Sequence, residues 1–85
     1  MSHDIRSAVL AAIARIAPEV DPATLKGDER LRQQVDIDSM DFLNMVIDLH
    51  RELGVDIPES DYGKLATVDD IVNYLNERVR SASST

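Results

Sequence analysis

Apolar residues recur at helical spacing in three stretches of the chain and lose that spacing between them. From His3 to Ala17, the positions Ile5, Val9, Ala12, Ile13 and Ile16 share one face. Pro18 closes the stretch, because it offers no amide donor and disfavours helix before it. Between Glu19 and Ile37 no period survives; Pro22, Gly27 and mixed charge mark a long connection, with Leu25 and Leu31 as anchors into a core. A second helix opens at Asp38 or Ser39 and runs to Leu53, where Gly54 tolerates a left-handed C-terminal turn and Pro58 follows as a stop. Glu59 to Leu65 suits a short third helix, weakened by Gly63. Thr67 then caps a fourth that carries Val68, Ile71, Val72, Leu75 and Val79 on one side and ends near Arg80.

The second helix has an unusual face. Asp41, Asn44, Asp48, Arg51 and Glu52 fall within an arc of roughly 100°, which leaves roughly 220° to Met40, Phe42, Leu43, Met45, Val46, Ile47, Leu49, His50 and Leu53. That is wider than one-sided packing needs. Either the helix is covered from two sides, or the residues beside the polar strip, Met40 and Ile47, project to solvent as contacts for another protein, the reading preferred for Met40. The pattern as a whole predicts an all-α fold: a small bundle of three longer helices and one short one, with a long loop between helices one and two. It spans residues 3–80, and residues 81–85 form a flexible tail.

Eighty-five residues allow one small domain and no second lobe to close over a substrate, which argues against a self-contained enzyme. With 44% apolar residues but only 4% aromatics, aliphatic side chains must do the packing. No run approaches the roughly 18 apolar residues of a membrane span, and the first residues lack a signal-peptide pattern, so a cytoplasmic protein is expected. The absence of cysteine excludes disulfides, thiolate metal sites and a cysteine nucleophile; sulfur chemistry would need an attached cofactor. The net charge of −7 arises entirely between Asp36 and Asp61, where eight acids face one base, Arg51. Such a stretch repels nucleic acid and anionic lipid and suits a partner with a basic patch, although a merely solvated acidic surface has the same composition.

Ser39 is the residue of chemical interest, since it stands at the mouth of an acidic amphipathic helix after a long loop. As a plain N-cap it needs no further role. As a nucleophile it lacks a base: His50 lies 11 residues along the same helix, roughly 16 Å up its axis, and His3 stands beside a chain end. The helix dipole supplies only roughly 0.3–1 kcal/mol, so a reacting Ser39 would need catalysis from another protein. The run from Asp36 to Asp41 resembles the start of a calcium loop, but Met40, Asp41 and Ile47 occupy positions that need a ligand, a glycine and a glutamate. His50 has no co-ligand and is expected to be a partly buried structural histidine, so no metal site is assigned.

The run from Val35 to Pro58, with Asp38-Ser39-Met40-Asp41 and Leu53-Gly54-Val55-Asp56-Ile57-Pro58, resembles the acyl carrier proteins. The match continues through Leu65 to Ile71 and covers roughly residues 5–79. The resemblance implies that Ser39 receives a covalent 4′-phosphopantetheine arm, flanked by Asp38 and Met40, whose thiol carries acyl groups as thioesters. Three residue-level facts agree with it. The chain has no thiol of its own, an anionic phosphodiester suits a helix N-terminus, and an inert serine needs a transferase. By the same resemblance, Asp41, Asn44, Ile47, Asp48, Arg51 and Glu52 form the face that meets basic patches on phosphopantetheinyl transferase and acyl-handling synthase enzymes. A loaded chain could fold back among Phe42, Met45, Val46, Leu49 and Ile71, which otherwise read as ordinary core. The chain departs from the family at Asp36, where glycine is common, and at Met40, where leucine is usual. Asn44, His50 and Arg51 fall where acids are common, so the strip is less acidic than in housekeeping carriers. A dedicated lipid-modification, polyketide or secondary-metabolite pathway therefore suits it as well as primary fatty-acid synthesis.

The expected function is that of a discrete, non-enzymatic, monomeric acyl carrier serving fatty-acid, lipid or polyketide-type biosynthesis, without nucleic acid or membrane as partner. A carrier of aminoacyl or peptidyl groups is the nearest alternative. An unmodified helical interaction module, with Ser39 only a cap, is the alternative from another class.

Overall fold

The computed structural model describes residues 4–83. Four α-helices follow in order, α1 (Ile5–Ile16), α2 (Leu31–Gln34), α3 (Ser39–Leu53) and α4 (Val68–Ser83), with 3₁₀ turns at Pro22–Thr24 and Glu59–Lys64. The three long helices are those the apolar spacing predicts, and no strand occurs among the described residues. His3, the expected start of the first helix, lies outside the described residues. The last helix runs three residues beyond the expected end at Arg80, and Ser84 and Thr85 again lie outside the described residues. No helix is long and apolar enough to cross a membrane.

α1 is the central strut, packed along both α3 and α4. Its Val9, Ala12 and Ile13 meet Met45 and Leu49 of α3 and Ile71 and Leu75 of α4 in one continuous aliphatic core. Each large side chain so buried contributes roughly 1.5–3 kcal/mol relative to exposure. Ion pairs fasten the same contacts at the rim, Arg15 to Asp48 of α3 at 3.3 Å and Arg6 to Asp69 of α4 at 2.7 Å. Exposed pairs of this kind add at most about 1 kcal/mol each, so the core and not the rim sets the arrangement.

The long connection is far more ordered than its sequence suggests. Asp21 closes the first 3₁₀ turn by accepting from the amide of Ala23, and Leu31, Val35 and Ile37 are buried alongside the anchor Leu25, which is half-buried. The Gln34 side chain accepts from the Lys26 amide at 2.6 Å and donates to the carbonyls of Lys26 and Glu29. Two backbone bonds then dock the loop on the start of α4, Leu31 N–H to Ala66 O at 2.8 Å and Asp69 N–H to Gly27 O at 3.0 Å. Gly27 is required there, because a Cβ at that position would lie 2.5 Å from the Asp69 carboxylate. α2 itself was invisible to periodicity, since a single turn shows no repeat.

The expected caps are present at α3 and α4. Gly54 ends α3 with φ +67, and the Thr67 hydroxyl accepts from the Asp70 amide at 2.9 Å. Where a short third helix was expected, Glu59–Lys64 forms a 3₁₀ segment fastened to α4 by Asp61. That carboxylate accepts from the Tyr74 hydroxyl at 2.6 Å and from Arg78 at 3.0 Å, with Lys64 at 3.4 Å.

Candidate functional site

Asp38, not Ser39, caps α3. The Asp38 carboxylate accepts from the Asp41 amide at 2.9 Å, and the Asp41 carboxylate accepts from the Asp38 amide at 3.3 Å, a reciprocal capping box. Ser39 is therefore the first residue inside the helix, exposed, and its hydroxyl makes no hydrogen bond among the described residues. The amides of Ser39 and Met40 are likewise unpartnered, as the first donors of a helix must be unless something outside it accepts. Together these features describe an accessible hydroxyl beside two free N–H groups at the positive end of a four-turn helix, which suits a phosphate ester bonded to that oxygen.

Beside Ser39 opens a groove of about 830 Å³. One wall comes from Arg30, Leu31 and Arg32, the other from Tyr62 and its neighbours in the second 3₁₀ segment, and Phe42 and Leu43 of α3 lie between them. The Phe42 ring packs edge-on against Tyr62, centroids 5.6 Å apart, and the Arg32 guanidinium lies 5.6 Å from the same ring centre. Of the five residues singled out for a folded-back chain, only Phe42 borders this groove; Met45, Val46, Leu49 and Ile71 belong to the closed core. The polar wall residues carry no periodic signal and were not legible in the sequence.

Along α3 from Ser39, Met40 is 64% exposed, Leu43 36% and Ile47 42%, so the wide apolar arc is explained by solvent-facing edge residues and not by cover from a second side. The polar strip is less uniform than a helical wheel suggests. Asn44, Arg51 and Glu52 are exposed and free of ion pairs among the described residues, but Asp41 is engaged in the capping box and Asp48 is paired with Arg15.

His50 departs from expectation. It sits at the exposed end of the apolar arc with its side chain 53% accessible, because the chain turns back after Gly54 and brings the Val55 carbonyl to Nδ1 at 2.8 Å. A carbonyl only accepts, so Nδ1 carries a proton and the ring has a structural task at the C-terminal turn, far from Ser39. Among the described residues no three His, Cys, Asp or Glu converge to hold a metal.

Comparison with known proteins agrees with this geometry. The family model of the phosphopantetheine attachment site matches residues 7–75. The acyl carrier protein of Campylobacter concisus is 30% identical over 75 residues, covering 88% of this chain and 91% of that protein. That of Thermosynechococcus vestitus is 32% identical over 60 residues, or 71% of this chain and 74% of that protein. A solution structure assigned as an acyl carrier protein of Anaplasma phagocytophilum superposes with a TM-score of 0.73 at 25% identity, covering 99% of this chain and 92% of that one. Through the residue 7–75 match, the chain belongs to the phosphopantetheine-bearing acyl carrier proteins, which are carriers and not enzymes.

Proposed function

We propose that Ser39 is the attachment point of the 4′-phosphopantetheine arm and that the chain holds acyl groups on it for biosynthetic enzymes. One observation carries this reading: the Asp38–Asp41 capping box takes over the work a helix-opening serine usually does and leaves the Ser39 hydroxyl free and exposed. The arm, once bound, supplies a terminal thiol that forms thioesters. The chain's own residues contribute position. Ser39 presents Oγ, the Ser39 and Met40 amides face the phosphate site, and Asp38 and Asp41 hold the turn rigid around it. The histidine on the same helix is out of reach, since His50 lies 11 residues along α3 from Ser39, roughly 16 Å up its axis. The proton leaves Oγ to a base on the transferase as the Oγ–P bond forms and the phosphoanhydride of coenzyme A breaks.

Partners of the family are phosphopantetheinyl transferases and biosynthetic enzymes. For this chain the docking face is Met40, Leu43 and Ile47 flanked by Asp41, Asn44, Asp48, Arg51 and Glu52, apolar contacts inside a surround of mixed, slightly negative charge that a partner's basic groups can meet. With Asp48 neutralised by Arg15, with Asn44 uncharged and with Arg51 cationic, this face is only weakly acidic. A specialised lipid or polyketide-type pathway therefore suits this face as well as primary fatty-acid synthesis does.

The function is tested by incubating wild type and Ser39→Ala with coenzyme A, a broad-specificity transferase and an acyl donor with its ligase. Wild type is expected to gain an acyl group that neutral hydroxylamine removes, and Ser39→Ala none. Hydroxylamine-labile acyl groups on the variant would overturn the assignment.

A further inference from the structure

In a chain of net charge −7, cationic side chains without a carboxylate partner are unexpected. Of the nine lysines and arginines, five are paired, Arg6, Arg15, Lys26, Lys64 and Arg78, whereas Arg30, Arg32, Arg51 and Arg80 have no ion pair among the described residues. Two of those four, Arg30 and Arg32, line the groove that also holds Ser39.

Neither arginine is placed there by accident of a mobile loop. The backbone of Arg30 is bridged to Thr67, and the next residue, Leu31, is buried and bonded to Ala66, so the segment is fastened on both sides of the groove wall. The Arg32 guanidinium is held over the Phe42 ring, where a cation–π contact fixes its charge without neutralising it. The only carboxylate lining the groove is Glu59, which pairs with neither arginine, so the groove lining is net positive beside the Asp36–Asp61 segment that carries the chain's whole negative charge. Its floor is apolar, formed by Leu31, Phe42, Leu43 and Leu65.

A purely aliphatic chain lying in this groove would cover two guanidinium groups without satisfying them, which is costly. The arm's phosphate, bonded to Ser39 and served by free helix amides, needs no apolar floor. A chain that is apolar along its length and anionic at its end satisfies both features, because a carboxylate forms strong, often bidentate bonds with guanidinium. We propose that Arg30 and Arg32 make the groove beside Ser39 a seat for a short acyl group ending in a carboxylate, so that dicarboxylic acyl units are the cargo this carrier holds best. The inference rests on Ser39 bearing the arm.

The test uses the full chain carrying the arm, with a butyryl or a succinyl group attached to it through a non-hydrolysable amide. The two groups have equal carbon length and differ only in a terminal methyl or carboxylate. The succinyl form is expected to melt about 2–5 °C above the butyryl form, the size a partly screened charge pair has in so small a domain. The gap should disappear in the Arg30→Gln/Arg32→Gln double variant, persist in Arg80→Gln, and shrink as salt rises. In ¹⁵N-labelled protein the Nε–H resonances of Arg30 and Arg32 should move on succinyl but not on butyryl loading. Each gap compares two loaded forms of one variant, so stability lost with the Arg32–Phe42 contact cancels. Equal melting of the two wild-type forms overturns the proposal. So does a gap that survives the double variant, or arginine shifts already complete in the unloaded arm-bearing chain, which would assign the guanidiniums to the phosphate. A chain that takes up no arm contradicts the Ser39 reading instead, and intact mass shows that before any melt is recorded.

Discussion

A serine that opens a helix ordinarily spends its hydroxyl on the helix's own amides, and the chemistry available at Ser39 depends on its being spared that task. Asp38 supplies the cap, and Asp41 returns the bond. Ser39→Ala should therefore change stability by no more than about 0.5 kcal/mol, as surface substitutions do, while Asp38→Ala should cost about 0.5–2 kcal/mol. Urea denaturation of both variants checks the order, and a costly Ser39→Ala would mean that the serine caps the helix after all. The sequence left the cap open between the two residues, because both side chains are good N-caps. What settles it is the reciprocal bond from Asp41, a shorter version of the usual glutamate box, and therefore a matter of geometry more than of residue type. His50 illustrates the same limit: its place on the helical wheel is correct, but its exposure follows from how the chain turns after Gly54.

At the scale of elements, the long helices were legible because Ile, Val and Leu repeat every third or fourth residue, whereas the segment from Glu19 to Ile37 was legible only as anchors. Leu31 was one of them, and it proves to be 1% exposed, at the head of a one-turn helix docked on Ala66. Leu31→Ala should cost about 2–5 kcal/mol, as truncations inside a closed core do, and a loss below about 1 kcal/mol would show that the loop is not part of the core. The 3₁₀ segment that walls the groove depends on Asp61 in a similar way. The Tyr74 hydrogen bond, supported by Lys64 and Arg78, holds the Asp61 carboxyl below its ordinary value of 3.8. Burial, and then the bond to Asp61, raise Tyr74 above 10.0. A lowered acid stabilises fully above its unfolded value and loses that contribution as pH falls through the lower folded one; a raised phenol does so below its unfolded value and loses it as pH rises. The latch should thus hold evenly between those limits and weaken only beyond them. Asp61→Asn should melt below wild type at neutral pH and show a shallower decline in acid, and thermal melts across pH that coincide for the two proteins would contradict this.

For the molecule as a whole, the charge arithmetic located the acidic segment but not which of its acids remain available. Folding commits Asp41 to a cap, Asp48 to Arg15 and Asp61 to Tyr74, leaving Glu52 exposed and, among the described residues, unpaired on the proposed docking face. Glu52→Lys is therefore the cleanest probe of electrostatic docking. It should slow capture by the transferase several-fold at low salt, with the rates converging as salt rises, and rates that ignore both the reversal and the salt would argue against steering by this face. The groove's arginines, too, came to light only when folding brought a loop, a helix and a 3₁₀ segment around Ser39. The central claim, that this chain carries its thiol on Ser39, is met most directly by the intact mass of wild type and Ser39→Ala after incubation with coenzyme A and a phosphopantetheinyl transferase. One phosphopantetheine is expected on wild type and none on the variant; an unmodified wild type, or a modified variant, would rule out attachment at Ser39.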